Sequence, residues 1–315
     1  MHVDLDEADI LLVFPMKGDG RVRLVGNVRR EPEHDDLALT FDDVSSRAIE
    51  HLKLKIAKVN WFSTYRVHHR VANSFAKGRA YLLGDAAHIH SPVGGQGMNT
   101  GIGDAINLAW KLAAVLNRSA PDRLLDTYER ERIGFARRLV ATTDRAFSLL
   151  TSTSLVARLV RTRLVPLIAP LLLRIAPARR FLFRTVSQTG IEYRQSPLNE
   201  GVAGAVQGGD RLPWVMTGPD EDNFAPLESI AWQLHVYGEP GRGVTDACST
   251  LGLPIHVFDW SPEMERAGLE RGALYLIRPD GYVALADPDA DPEHLRRYFA
   301  NRALTIVHEH VESSR

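Results

Sequence analysis

The sequence holds a single cysteine, Cys248, among its 315 residues. That excludes an intramolecular disulfide and any C-x-x-C redox centre, and a reducing cytoplasm is the simplest home for such a chain. The Walker pattern G-x-x-x-x-G-K-[ST] is missing: the first lysine after the glycine-rich segment is Lys111, inside a helical repeat. The dinucleotide fingerprint G-x-G-x-x-G is missing too, because Gly95-Gln96-Gly97 is followed by Thr100 and Gly101-Ile102-Gly103 by Ile106. No apolar run approaches the ~20 residues of a membrane span. The nearest, Leu164 to Ile175, is broken by Pro166, Pro170 and Arg174. The surrounding segment 154–184, with seven arginines, reads as helices that cover a core, with contact at a membrane surface as the lesser alternative. A net charge of −1 argues against broad attraction to nucleic acid, and the acidic start shows no secretory signal.

What is present is enough for a sizeable core: 44% of residues are hydrophobic and 24% charged, and the length suggests two domains. The most informative stretch runs Gly78-Arg-Ala-Tyr-Leu-Leu-Gly-Asp-Ala-Ala-His88 and continues through Ser91-Pro-Val-Gly-Gly-Gln-Gly-Met-Asn-Thr-Gly101. It reads as a strand over Ala80–Leu83, a turn at Gly84-Asp85, and a glycine loop that empties into a helix. In that helix Ile102, Ala105, Ile106, Ala109, Leu112, Ala113 and Leu116 follow the 3.6-residue period. Five glycines between Gly94 and Gly103 let backbone amides approach a bound group. The helix start, with unpaired amides and the positive end of the dipole, favours an anionic ligand.

The run Gly78–Leu112 closely resembles the second flavin-contacting motif, the GD motif, of single-component FAD-dependent aromatic hydroxylases, the group of the phenol, p-hydroxybenzoate and aromatic polyketide hydroxylases. Further agreement lies in Leu124-Leu-Asp-Thr-Tyr-Glu-Arg-Glu-Arg132, Tyr193-Arg-Gln-Ser-Pro-Leu198 and Leu276-Ile-Arg-Pro-Asp-Gly-Tyr-Val283. The last two resemble the phenol and polyketide hydroxylase branch, which carries a thioredoxin-like C-terminal domain. The resemblance implies an α/β (α+β) chain: a partial FAD-binding and substrate-sheet domain with long helices over 1–200, then a thioredoxin-like α/β domain over 201–315. It implies that Asp85, after Gly84, accepts hydrogen bonds from the ribityl chain of FAD, that Pro92 lies near the reactive edge of the ring, and that Gly95, Gly97, Met98 and Asn99 serve the flavin, the last three at its pyrimidine edge. The implied activity is hydroxylation of a phenolic or polyketide substrate with O₂, through a flavin C4a-hydroperoxide, with NADH or NADPH as reductant. No residue is identified as a catalytic acid or base.

Proteins of that family open with a βαβ unit carrying G-x-G-x-x-G. Here an apolar strand, Ile10–Phe14, begins within ten residues of Met1, so the expectation is a C-terminal portion, either a truncated or split gene product or a chain that pairs with a second polypeptide supplying the missing half, and in both cases one that binds FAD poorly alone. The alternative from another class is a non-catalytic association module, and homo-oligomerisation fits either.

Along the rest of the chain, Ile10–Phe14 and Arg21–Val28 flank a hairpin turn at Lys17–Gly20, and Tyr65, Val67, His69 and Val71 alternate as a third strand. Trp61, Phe62 and Tyr65 are candidates to line an aromatic pocket; ordinary sheet packing is the plainer reading. A helix is expected over 122–150 with Asp122 as its cap, and its Glu129–Arg132 surface reads as solvated charge. Gly201 to Pro219 reads as a connector. Beyond it the expected order is β-α-β-β-β-α, with strands at 232–237, 255–258, 273–277 and 282–285, helices near 244–251 and 292–300, and a hairpin at Pro279–Gly281. His68, His69, His88, His90 and Asp85 could be drawn as a metal site, but His-x-His spacing is weak evidence and the flavin motif accounts for the loop, so no metal is expected. Ser152 and Ser154 lack the G-x-S-x-G context of a nucleophile.

Overall fold

The computed structural model describes residues 2–6, 9–18, 20–26, 40–43, 49, 53–64, 67–90, 95–152 and 154–306. The chain divides into two compact units: residues 1–70, 90–95 and 139–183 form one, and 71–89, 96–138 and 184–315 the other.

In the first unit, β1 (His2–Asp6), β2 (Asp9–Pro15) and β3 (Val22–Gly26) form an antiparallel sheet in that order. Gly18 and Gly20 take positive φ in the β2–β3 turn, which Met16 closes by donating to the Arg21 carbonyl. The hairpin expected there forms, although Asp19 and residues 27–28 lie outside the described residues. The expected third strand does not form over 67–69: Tyr65 lies outside the described residues, and strand geometry starts with β4 (Arg70–Val71).

The segment 154–184 departs from expectation more sharply. It holds α3 (Leu155–Leu159), a π-helical turn at Val160–Leu164, α4 (Val165–Leu172) and α5 (Ala176–Val186). Among the described residues these helices cover no core: neither α4 nor α5 has a buried residue, and Leu155, Leu167 and Leu171 are 82%, 72% and 64% exposed.

The second unit contains a small hairpin, β5 (Ala76–Lys77) and β6 (Ala80–Tyr81), then β7 (His88–Ile89) and the long helix α1 (Gly97–Leu116). The strand expected over Ala80–Leu83 stops at Tyr81. After a 3₁₀ turn at Asp122–Leu124, α2 (Asp126–Thr151) begins, so Asp122 heads the 3₁₀ turn and is not the helix cap.

A six-stranded sheet completes this unit, in the order β11-β10-β12-β13-β8-β9. Its strands are β8 (Glu200–Ala203), β9 (Val206–Gln207), β10 (Gln233–Tyr237), β11 (Ile255–Phe258), β12 (Leu274–Ile277) and β13 (Val283–Asp287). Parallel β10 and β11 are joined through α6 (Val244–Leu251), the short α7 (Pro262–Arg266) follows, and antiparallel β12 and β13 lead into α8 (Pro292–Arg302). That strand order and direction is the thioredoxin-like arrangement. Period-two alternation divides the side chains between two faces. Leu234, Val236, Leu274 and Leu276 pack under α6 and α8, with Trp110 of α1 in the same core, while Tyr237, Tyr275 and Ile277 pack on the other side with Met264 and Leu269.

The glycine-rich start of the supposed connector belongs to this sheet. β8 lies parallel against β13, and a Cβ on Gly201 would stand 2.1 Å from the Ala286 carbonyl oxygen. Gly208 and Gly209 press on backbone in the same way. Glycine there reports close backbone approach between strands, a pattern that the sequence alone shares with a loop. Cys248 is buried on α6, and burial pushes its thiol up to about 11. Among the described residues no helix is long and apolar enough to cross a membrane.

Candidate functional site

The site is built on two backbone elements that touch through glycines. Gly84, at φ +57°, starts a 3₁₀ turn over Gly84–Ala86 that carries Asp85. A Cβ on Gly101 would stand 3.3 Å from the Gly84 Cα, so the turn rests directly on the second turn of α1. Gly103 has a similar use: a Cβ there would meet the Arg132 guanidinium at 3.3 Å. The expectation that all five glycines open the backbone to a ligand is thus corrected for these two, which open it to the protein itself. Gly95 differs again: its φ is +61° and a Cβ there would meet nothing within 4 Å, so its backbone conformation is what favours glycine.

Among the described residues the amino end of α1 is left available. Its cap residue Gln96 makes no side-chain capping bond, and no acidic residue lies in the first turn. The amides of Gly97, Met98 and Asn99 have no intrahelical acceptor. Met98 is 75% exposed, and Asn99, Gly95 and Asp85 are exposed as well. An exposed carboxylate and a helix start without a carboxylate of its own suit a ligand with hydroxyls and an electron-rich rim, as the flavin end of FAD presents. Pro92 lies outside the described residues.

Behind this surface lies a polar network that the sequence reading did not find. Asp104 is 1% exposed and accepts from Gly84 N–H at 3.0 Å, His88 Nε2 at 2.7 Å and Arg132 Nε at 2.6 Å. Arg132 also donates to the Thr100 carbonyl at 3.1 Å and to Tyr193 Oη at 2.8 Å. One carboxylate and one guanidinium therefore tie the Asp85 turn to the first turns of α1. Burial pushes the Asp104 carboxyl up, but the His88 hydrogen bond, the Arg132 charge and the Gly84 amide outweigh it, and the net pKa is below the ordinary carboxylate value. The Thr100 hydroxyl donates to the Gln96 carbonyl and accepts from Gln188 Nε2 at 2.8 Å.

The neighbouring residue on α2, Glu131, anchors a second cluster. Its carboxylate accepts from Lys111 Nζ at 2.7 Å, Asn107 Nδ2 at 2.7 Å, Ser196 Oγ at 2.6 Å and both terminal nitrogens of Arg278 at 2.8 Å. Arg278 donates in turn to Asp280, and its guanidinium lies over the rings of Trp110, Tyr193 and Tyr282. Two cations face two carboxylates, so the buried cluster is neutral as a whole. Burial, and then the charge of Arg278, brings Lys111 down to about 8 against the pull of Glu131. For Glu131 itself burial is outweighed by Arg278 and Lys111, which hold it ionised.

Glu131 and Arg132 were expected to be solvated charge; they are 5% and 1% exposed. Glu129 is also engaged, accepting from the Ser74 hydroxyl and the Phe75 and Ala76 amides. The usable signal was the spacing of Asp104, Asn107 and Lys111, which puts three polar groups on one helix face. Trp61 is 73% exposed and Phe62 meets Phe41 edge-on at 6.4 Å. Among the described residues no cluster of His, Cys, Asp and Glu could hold a metal ion.

Residues 3–143 match the FAD binding domain family. Over most of its length the chain is similar to flavin-dependent aromatic monooxygenases. In particular, the chain is similar to the 6-methylpretetramide 4-monooxygenase of Streptomyces rimosus, 32% identical over 73% of this chain and 45% of that one. It is also 32% identical to the rifampicin monooxygenase of Rhodococcus hoagii, over 87% of this chain and 53% of the relative. Among solved structures, CabE, an aromatic hydroxylase from angucycline biosynthesis, superposes with a TM-score of 0.70 at 26% identity, covering 96% of this chain and 61% of its own. The chain spans about half the length of the curated relatives it matches.

Proposed function

We propose that this chain supplies the flavin-ring side of a monooxygenase that hydroxylates an aromatic substrate, phenolic or polyketide, using O₂ and a reduced nicotinamide. Bound FAD supplies the redox chemistry, taking reducing equivalents from NADH or NADPH and activating O₂. Asp85 accepts from the ribityl hydroxyls, Gly84 sets the turn that presents it, the Gly97, Met98 and Asn99 amides serve the pyrimidine edge, and, as the resemblance implies, Gly95 serves the flavin and Pro92 its reactive edge. The helix dipole favours the anionic reduced ring. The aromatic substrate is oriented beside the ring, where exclusion of water favours oxygen transfer over loss of peroxide.

The observation that carries this reading is the start of α1, whose cap residue Gln96 makes no side-chain capping bond and whose first turn holds no acidic residue, next to the exposed Asp85. The division into a flavin and substrate part over 1–200 and a thioredoxin-like part over 201–315, a cytoplasmic location and homo-oligomerisation belong to the same proposal. The test is flavin binding followed by turnover. The chain alone is expected to retain little FAD. Mixed with a polypeptide that carries the pyrophosphate-binding half, it should quench flavin fluorescence and show NAD(P)H oxidation stimulated by an aromatic substrate. Asp85→Ala should weaken FAD binding about 10-fold, the value of one charge-assisted hydrogen bond. Binding without any turnover would favour a pure association module.

A further inference from the structure

Helices α3, α4 and α5 take no part in the candidate site and present apolar side chains outward. Leu155 and Val156 on α3 are 82% and 71% exposed, and Phe181 and Phe183 on α5 are 74% and 66% exposed. Between them, α4 (VPLIAPLL) has no polar side chain on any side, and none of its residues is buried. A helix that is apolar all round belongs in a protein core or in contact with a membrane. Here it lies in no core. One packed helix or strand covers one side of such a helix, whereas a hydrocarbon layer takes apolar groups around most of its circumference.

The charge on this segment has one sign. From Arg145 to Ile191 the sequence holds eight arginines and no aspartate, glutamate or lysine, in a chain whose net charge is −1. Arg163 and Arg174 flank α4, Arg179 and Arg180 lie on α5, and all four are exposed. The long arginine stem lets the guanidinium reach outward while neighbouring leucines sit deeper, and its planar fork pairs with two phosphate oxygens at once. Apolar side chains edged by arginine, with no anion among them, complement the boundary of an anionic lipid bilayer, where acyl chains lie beneath a layer of phosphates. A protein partner would need both an apolar cradle around α4 and a set of carboxylates around that cradle.

The segment is built to lie on such a surface and not to cross it. An eight-residue helix is ~12 Å long, against a hydrocarbon layer ~30 Å thick. Pro166 and Pro170 fall within α4, and among the described residues no helix is long and apolar enough to span. We infer that the surface over residues 155–183 is a docking site for an anionic lipid bilayer, with the exposed leucines in the acyl boundary and the arginines on lipid phosphates. The inference stands apart from the flavin reading.

The test floats the full chain, without FAD, with vesicles of phosphatidylcholine alone or of phosphatidylcholine and phosphatidylglycerol in equal amounts. The chain should bind the anionic vesicles at least ~10-fold more tightly than the neutral ones, and added salt should release it. Arg174→Glu with Arg179→Glu and Arg180→Glu should weaken that binding on the order of 100-fold. Leu167→Cys, carrying an environment-sensitive fluorophore, reports insertion, because the native Cys248 is buried. Its emission should shift to the blue on anionic vesicles and be quenched by nitroxide-labelled lipid. Circular dichroism checks that the charge-reversal variant folds, and the labelled chain, whose arginines are intact, reads insertion independently of it. The inference is overturned if the chain stays in the lipid-free fraction, if neutral and anionic vesicles bind it equally, if the charge-reversal variant binds as well as the parent, or if the bound chain leaves the label in water. It is equally overturned if light scattering shows a second copy of the chain seated on this surface, or if a polypeptide supplying the other half of the FAD site shields the label and abolishes vesicle binding.

Discussion

Asp104 and Arg132 meet at 2.6 Å with both side chains buried, and between them they hold Gly84, His88, Thr100 and Tyr193. The pair is a positioning device: it fixes the turn bearing Asp85 against the helix whose amino end completes the candidate site.

Removing one member should be far worse than removing both. Arg132→Leu strands a buried carboxylate and is expected to cost about 3–5 kcal/mol in urea unfolding. Asp104→Asn with Arg132→Leu should recover part of that loss, and a double-mutant cycle showing no coupling would contradict the pairing.

The glycine contact gives a second expectation. Gly101→Ala places a methyl 3.3 Å from the Gly84 Cα and should cost about 1–3 kcal/mol, together with weaker FAD binding as Asp85 is displaced. Gly95→Ala meets open space but a φ of +61°, so its cost should stay near 1 kcal/mol. Equal losses in thermal unfolding would show that packing does not distinguish them.

Within the second cluster the two cations are unequal. The pKa of Lys111 lies at about 8, below its ordinary 10.5, so the unfolded chain binds more protons between those values and raising the pH through that window favours the folded state. At pH 7 Lys111 carries the full burial penalty, and Glu131 keeps Arg278, Asn107 and Ser196 without it. Lys111→Met should fall within about 1 kcal/mol of the parent, and Arg278→Met should cost about 3–5 kcal/mol. Denaturant midpoints at pH 7 read both.

The thioredoxin-like sheet contains an acid-sensitive residue. His235 is fully buried, and burial, with His256 at a ring distance of 5.4 Å, lowers its pKa from 6.5 to about 3. The unfolded chain therefore takes up the proton first: stability is full above about pH 6.5 and declines toward pH 3, by about 2 kcal/mol at pH 5. His235→Phe should flatten that decline, and an unchanged slope between pH 7 and pH 5 would rule His235 out as its source.

Much of this was legible in the residues. The four strands and two helices of the thioredoxin-like part sit within a residue or two of expectation because their periods change sharply at Gly, Pro and Asp boundaries, as at Pro279–Gly281. The glycine motif likewise announces the turn at Gly84 and the helix start at Gly97. Periodicity could not say which side of α1 is inside, because the buried face is held by ion pairs to Glu131, Arg132 and Arg278, residues that come together only in the fold. Arginine-rich 154–184 failed for the opposite reason: apolar content implied burial, and its leucines are exposed.

The guanidinium that neutralises Glu131 arrives 147 residues later in the chain. During synthesis at the usual pace, on the order of ten seconds separate the emergence of the two. Until Arg278 leaves the ribosome, the inner side of α1 has its carboxylate and lysine without the group that completes them. This element should thus acquire its protected, slowly exchanging core only after residue 278 has been translated, and a nascent chain arrested before that point should remain protease-sensitive there.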